Sequence, residues 1–126
     1  MHKSRLAGFI IDCQTQDLEG AAHFWGAALG LAVRTEAAPE EARYRRLVTA
    51  PEELHVEVQQ VRHPSRVHLD IESDDIEAEV ARLERLGARR IASVHDWVVM
   101  EAPTGHRFCV VGVQRSDFAA HATTWP

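Results

Sequence analysis

Cysteine is scarce in this chain: 126 residues hold two, Cys13 and Cys109. Two thiols do not make a disulfide framework. With no export signal in the N-terminal MHKSRLAG, they read as free thiols in a reducing cytoplasm. An excess of positive charge is lacking too. Lys and Arg number 14 against 19 Asp and Glu, a formal charge of −5, which offers no basic stripe to a phosphate backbone. Nucleic acid is therefore not an expected partner. No apolar run approaches the roughly 18 residues of a membrane span, so a membrane is not expected either. Clusters of the HExxH or CxxC kind are missing, and the eight histidines are scattered, so their number alone does not mark a metal. The length is that of one compact domain with its own core, and 45% apolar against 26% charged residues is the balance of a globular protein.

What is present is one pattern written twice. GFIIDCQTQD (residues 8–17) and RVHLDIESDD (residues 66–75) overlie at an offset of 58, with Asp12 on Asp70, Asp17 on Asp75 and Ile10 on His68. Each stretch is strand-like and leads into a helical periodicity: Leu18, Ala21, Ala22, Trp25 and Leu29 in the first half, Ile76, Val80, Leu83 and Leu86 in the second. Gly30 and Gly87 stop the two helices, and Asp75 is placed to cap the second. Strand-like segments follow over Leu31–Glu36, Ala42–Thr49 and Leu54–Val61, then over Ala88–Val94, Trp97–Glu101 and Arg107–Val113. The half-ends LVTAPEELHVEV and VMEAPTGHRFCV match at an offset of 52, with Glu57 on Cys109. The offset changes because the loop Ala37–Glu41 has a much shorter counterpart near His95 and Asp96. Two βαβββ units are expected, about 5–61 and 66–113. The tail 114–126 lies beyond them, either a flexible end or an arm on a neighbouring chain, and dispensable to the fold.

Alternation along a strand sorts the side chains. Val56 and Val58, Leu69 and Ile71, Phe108 and Val110, and Phe9 and Ile11 are expected under the helices. That leaves His55, Glu57 and Gln59, then His68, Asp70 and Glu72, then Arg107, Cys109 and Val111, and Ile10 with Asp12, on the opposite, partly solvated face. Asp12 and Asp70 occupy equivalent places. They suit a pair of general bases or the binding of a cationic ligand group, or else pair with arginines, for which Arg34, Arg43, Arg45, Arg46, Arg66 and Arg107 are equal candidates. Trp97 and Trp25 suit either a pocket wall or the core. The stretch Glu77–Arg90, with alternating charge and pairs such as Glu79–Arg82 and Glu84–Arg85, reads as a solvated helix face.

The second half, HLDIESDDIEAEVARLERLGARRI followed by WVVMEAPTGHRFCVV, resembles the vicinal oxygen chelate superfamily of glyoxalases, bleomycin-resistance proteins and extradiol dioxygenases. Asp17, Phe24, Trp25, Leu29 and Gly30 fit that family's first helix, and the Pro103–Gly105 turn fits its last hairpin. The closest resemblance is to the glyoxalase-like domains, and it covers the chain up to about Val113. It implies a single α+β domain over 1–126, in which two βαβββ units related by pseudo-twofold symmetry form a curved, cup-like mixed sheet with helices outside. It also implies a homodimer.

In the resembling family the cup carries the active site, and metal ligands come from four strand positions. In this chain they are Ile10, Glu57, His68 and Cys109. Ile10 has no donor atom and Cys109 stands where a carboxylate is expected, so no resident metal is expected. The weaker alternative is zinc on Glu57, His68 and Cys109. Three functions remain open. The first is a module that binds a small organic molecule through polar groups such as Asp12, His55, Trp97, Arg107 and Cys109. The second is a metal-dependent lyase, isomerase or dioxygenase. The third is a metal-free acid/base enzyme using His68 with Asp70 or Glu57.

Overall fold

The computed structural model describes residues 1–34 and 43–126. Strand β1 (His2–Gln14) leads to helix α1 (Leu18–Leu29), then to strands β2 (Tyr44–Leu47), β3 (His55–Val61) and β4 (Arg66–Ser73). Helix α2 (Ile76–Arg85) precedes β5 (Arg89–Val94), β6 (Trp97–Glu101) and β7 (Arg107–Val111), and the chain ends in α3 (Phe118–His121) and β8 (Thr123–Trp125). The class is α+β, a mixed sheet of eight strands with three helices. Contacts divide the chain into two compact units, Phe9–Val67 and a discontinuous one of Met1–Gly8 with His68–Pro126. No helix among the described residues is long and apolar enough to cross a membrane.

In the Phe9–Val67 unit the strands run in the order β2-β3-β1. Helix α1 starts where Asp17 accepts a hydrogen bond from the Gly20 amide at 2.9 Å, which satisfies a donor that the first turn leaves open. It stops at Gly30, whose φ of +71° is a left-handed conformation that glycine adopts without strain. Between these ends Leu18 and Ala22 pack on Ile11, Cys13, Leu47, Val56 and Val58, with Trp25 partly buried beside them. The expected strand at Leu31–Glu36 is reduced, among the described residues, to one bridge between Val33 and Leu47. The rest of that strand, the loop Ala37–Glu41 and Ala42 lie outside the described residues.

In the second unit the order is β1-β4-β7-β6-β5, with β8 on the free side of β1. Strand β4 pairs parallel with β7, while β5, β6 and β7 are antiparallel neighbours. Asp75 caps α2 by accepting from the Ala78 amide at 3.0 Å. Glu77 and Glu79 in the first turn and Arg82 and Arg85 in the last complement the helix dipole. The α2 stripe puts Val80 and Leu83 on Val98, Met100, Phe108 and Val110. Ile71 joins this core, but Leu69, expected there, is half exposed. The helix lies mainly over β5, β6 and β7 rather than over the early part of β4.

The tail packs on its own chain rather than hanging loose. Strand β8 pairs antiparallel with β1, His2 opposite Trp125 and Ser4 opposite Thr123, and Phe118 is buried. Glu72, expected on the solvated face, is fully buried. It accepts hydrogen bonds from the Gln114 and Arg115 amides (2.7 and 3.0 Å) and from the Nε atoms of Arg115 and Arg5 (2.9 and 3.0 Å). Burial pushes this carboxyl up, and the four donors bring it below its ordinary value. Removing the tail would strip three of the four from a buried charge, so the tail is part of the fold rather than dispensable.

Glu79 likewise departs from a solvated helix face. It is fully buried, with Arg82 donating to both its oxygens at 2.8 Å and His2 Nε2 at 2.8 Å. The Arg82 guanidinium lies 3.8 Å from the centre of the Trp125 ring, whose Nε1 donates to Ser4 Oγ at 2.8 Å. Burial raises the Glu79 pKa, but hydrogen bonds from Arg82, His2 and Ser4 outweigh it and set the value at about 2, against an ordinary 4.5. A carboxyl depressed in the folded state stabilises above its unfolded pKa and loses that contribution as pH falls through the folded one. Urea unfolding should therefore show stability falling between about pH 4.5 and pH 2. Glu79→Gln should lose up to about 3 kcal/mol at pH 7 and show a shallower fall in that window. An unchanged pH profile in the variant would disprove the assignment.

Candidate functional site

Strand pairing assembles the site within the second unit. In the parallel register of β4 on β7, Leu69 lies beside Phe108, Asp70 beside Cys109 and Glu72 beside Val111. In the antiparallel register of β7 on β6, Cys109 faces Val99 and Arg107 faces Glu101. Phe108, Val110, Val98 and Met100 occupy the face under α2. The other face accordingly presents His68 and Asp70 from β4, Arg107 and Cys109 from β7, and Trp97, Val99 and Glu101 from β6.

On that face three chemically distinct groups converge. One imidazole nitrogen of His68, one carboxylate oxygen of Asp70 and the Cys109 sulfur all lie within 4.8 Å of one another. His68 Nε2 is 3.6 Å from Asp70 Oδ1. Asp70 and Cys109 are nearly buried, with 8% and 9% exposure, so water competes little for them. The charged rim beside them is organised by Glu101. It accepts from Arg89 (2.9 Å) and from Arg107 (3.2 Å), and these two cations hold its carboxyl below the ordinary range. The Trp97 ring meets that of His95, centres 5.4 Å apart.

The remaining sequence candidates belong to the Phe9–Val67 unit. Glu57 accepts from Arg46 Nη2 at 2.8 Å, directly across the β2–β3 ladder. His55 is buried. Asp12, 2% exposed, has its Oδ2 3.8 Å from Arg66 Nε and 4.0 Å from His63 Nε2. Equivalent positions in the repeat thus have unlike surroundings, since Asp12 meets an arginine where Asp70 meets His68 and Cys109.

The four positions at which the resembling family holds its metal do not fit that role in this chain. Ile10 offers no donor atom, and Glu57 is held by Arg46. The set that the structure gathers is different, with Asp70 beside His68 and Cys109. Asp70 was expected to act with His68 on the same strand, but its meeting with Cys109 went unseen because β4 and β7 are far apart in the chain and a parallel register leaves no local signal. Glu101, which steers Arg107, was missed as well. Its one available signal was its place opposite Arg107 in the hairpin closed by Pro103–Gly105.

Comparison with known proteins places the chain. The family model described as a glyoxalase-like domain matches residues 8–111. Among solved structures, a hypothetical protein from Bacillus halodurans C-125 is similar with a TM-score of 0.64 and 10% identity, over 90% of this chain and 96% of that one. Methylmalonyl-CoA epimerase from Mycobacterium tuberculosis is similar with a TM-score of 0.56 and 16% identity, over 92% and 91% of the two chains. A variant of the Streptomyces coelicolor epimerase in complex with 2-nitronate-propionyl-CoA gives 0.57 and 15%, over 86% and 96%. At such identities the likeness is one of fold alone. No curated protein matches the chain.

Because the core and the polar cluster occupy opposite faces of the same strands, they should respond differently to substitution. His68→Ala and Asp70→Asn are each expected to change unfolding free energy by about 1 kcal/mol or less. Met100→Ala, which empties a fully buried site, is expected to cost about 2 to 5 kcal/mol. Urea melts of the three variants make the comparison, and a loss at Asp70→Asn as large as at Met100→Ala would assign Asp70 to the fold rather than to a site.

Proposed function

Since the chain belongs to the glyoxalase-like domain family, within the vicinal oxygen chelate superfamily, we propose that it binds a small organic molecule on the polar face of β4, β6 and β7. The observation that carries this reading is the convergence of His68, Asp70 and Cys109 within 4.8 Å. An imidazole and a carboxylate side by side supply a hydrogen-bond donor and an acceptor to one polar end of a ligand, and their low exposure strengthens both contacts. Trp97 and Val99 offer apolar area to its body, and Arg107, steered by Glu101, adds a cation at the rim. This is the mixture of apolar wall and few polar groups that small-molecule sites use.

A second reading rests on the same cluster. Thiolate, imidazole and carboxylate are each donors that zinc accepts, and three such ligands leave a position open for a ligand oxygen. It is a different set from the family's own positions. Against it, a thiol must lose its proton to ligate, and Asp70 already lies beside His68. The binding reading is therefore preferred, with no resident metal.

Elemental analysis of protein never exposed to a nickel column, paired with native mass spectrometry, separates the two. The expected result is far less than one divalent metal per chain, together with a retained small organic molecule in the native protein that is lost in His68→Ala and in Asp70→Asn. Near-stoichiometric zinc that disappears in both His68→Ala and Cys109→Ser would overturn the binding reading in favour of a metalloprotein.

A further inference from the structure

A second candidate site lies in the Phe9–Val67 unit, on the face of its sheet that carries α1. A cleft of about 610 Å³ there is lined by Gln14, Thr15, Gln16, Arg43, Gln60 and Arg62. Its placement follows from the β2–β3 ladder. The Gln60 amide donates to the Arg43 carbonyl at 2.9 Å, one step beyond the Tyr44–Gln59 pair. Gln60 is two residues from Val58, which packs under α1, so the two share a face. Glu57 and Gln59 point to the other face. This cleft is therefore separate from the positions that the family resemblance singles out.

Its walls are fixed by backbone contacts rather than by the side chains that would meet a ligand. Gln60 Nε2 donates to the Thr15 carbonyl at 2.9 Å, and Gln14 Nε2 donates to the Arg62 carbonyl at 2.8 Å. The Gln14 amide donates to Ser65 Oγ at 3.0 Å, and the Asp17 amide to Thr15 Oγ1 at 3.0 Å. Arg43 and Arg62 belong to this braced frame. The described residues lining the cleft include these two arginines and no acidic residue, although the chain as a whole carries a charge of −5. Helix α1 begins beside the cleft, but its Gly20 amide is already taken by the Asp17 carboxylate, so the attraction is assigned to the arginines.

We propose that this cleft is a binding site for the phosphate group of a small phosphorylated molecule. Each guanidinium presents a planar fork that takes two oxygens, and two forks match the charge and oxygen count of a phosphate dianion, where a single carboxylate fills one fork. The volume is in the range of small-molecule sites, which leaves room for an organic body beyond the phosphate. Thr15 and Gln16 complete the polar lining.

Pyrophosphate is the probe, titrated by isothermal calorimetry and followed through the backbone amides of residues 14–16 and 60–62 by NMR. The native protein is expected to bind it saturably, with shifts confined to those amides. Arg43→Gln and Arg62→Gln should each weaken binding about fivefold to tenfold, and the double variant should remove it. Arg85→Gln, an exposed arginine of α2 in the other unit, should change affinity less than about twofold. Thermal melts of the variants should match the native protein, since both arginines are exposed. No saturable binding by the native protein would overturn the proposal. Equal weakening by Arg85→Gln, or shifts centred on His68 and Cys109 instead, would do the same.

Discussion

A parallel strand pair gives every residue one fixed neighbour, and the pairing of β4 with β7 puts Asp70 beside Cys109. The rest of that unit follows from this register. Parallel strands need a crossover, which α2, β5 and β6 supply, and α2 must bury its apolar stripe on one side of the strands it spans. Val98, Met100, Phe108 and Val110 meet it there. Alternation then sends His68, Asp70 and Cys109 to the side away from α2. A slip of one residue would put Cys109 beside Leu69 or Ile71 and take apart both core and cluster.

Two buried carboxylates do the complementary work at the edge of the same unit. Glu72 gathers Arg5, Gln114 and Arg115, while Glu79 gathers His2 and Arg82, with Trp125 stacked on the latter. Each is a charge out of water that is tolerable only with its donors in place. Apart from Arg82 of α2 itself, the donors come from residues 2–5 and 114–115, so electrostatics ties those segments to β4 and α2. Glu72 also shares a strand and a face with His68 and Asp70, which links the order of the tail to the floor of the candidate site.

Much of the fold was legible in the sequence because it is written in local signals. Asp17 and Asp75 cap helices as their positions implied, Gly30 ends one in the left-handed conformation, and the strand at Trp97–Glu101 has the bounds its pattern gave. Apolar alternation assigned Val56, Val58, Phe108 and Val110 to the cores. Alternation failed where burial depends on a distant partner. Leu69 has the right parity but lies away from the strands that α2 mainly covers, and Glu72 and Glu79 have the composition of surface residues until Arg5, Arg115 and His2 arrive. The candidate site divides in the same way. His68, Asp70 and Cys109 could each be picked from their strands, whereas their meeting depends on a parallel register between segments far apart in the chain. The family positions Ile10 and Glu57 pointed to a ligand set other than the one that converges.

The discontinuous unit has a consequence for the order of events during synthesis. Residues Phe9–Val67 hold every strand of their own unit before the second half is made. Met1–Gly8 precedes that unit in the chain but belongs with His68–Pro126, so that stretch of β1 cannot complete its pairing until β4 and finally β8 emerge. Closing so long a loop is slow compared with forming local contacts. The polar, charged beginning of β1, with Lys3, Ser4 and Arg5 among its first residues, is what a strand needs in order to remain dissolved while it waits.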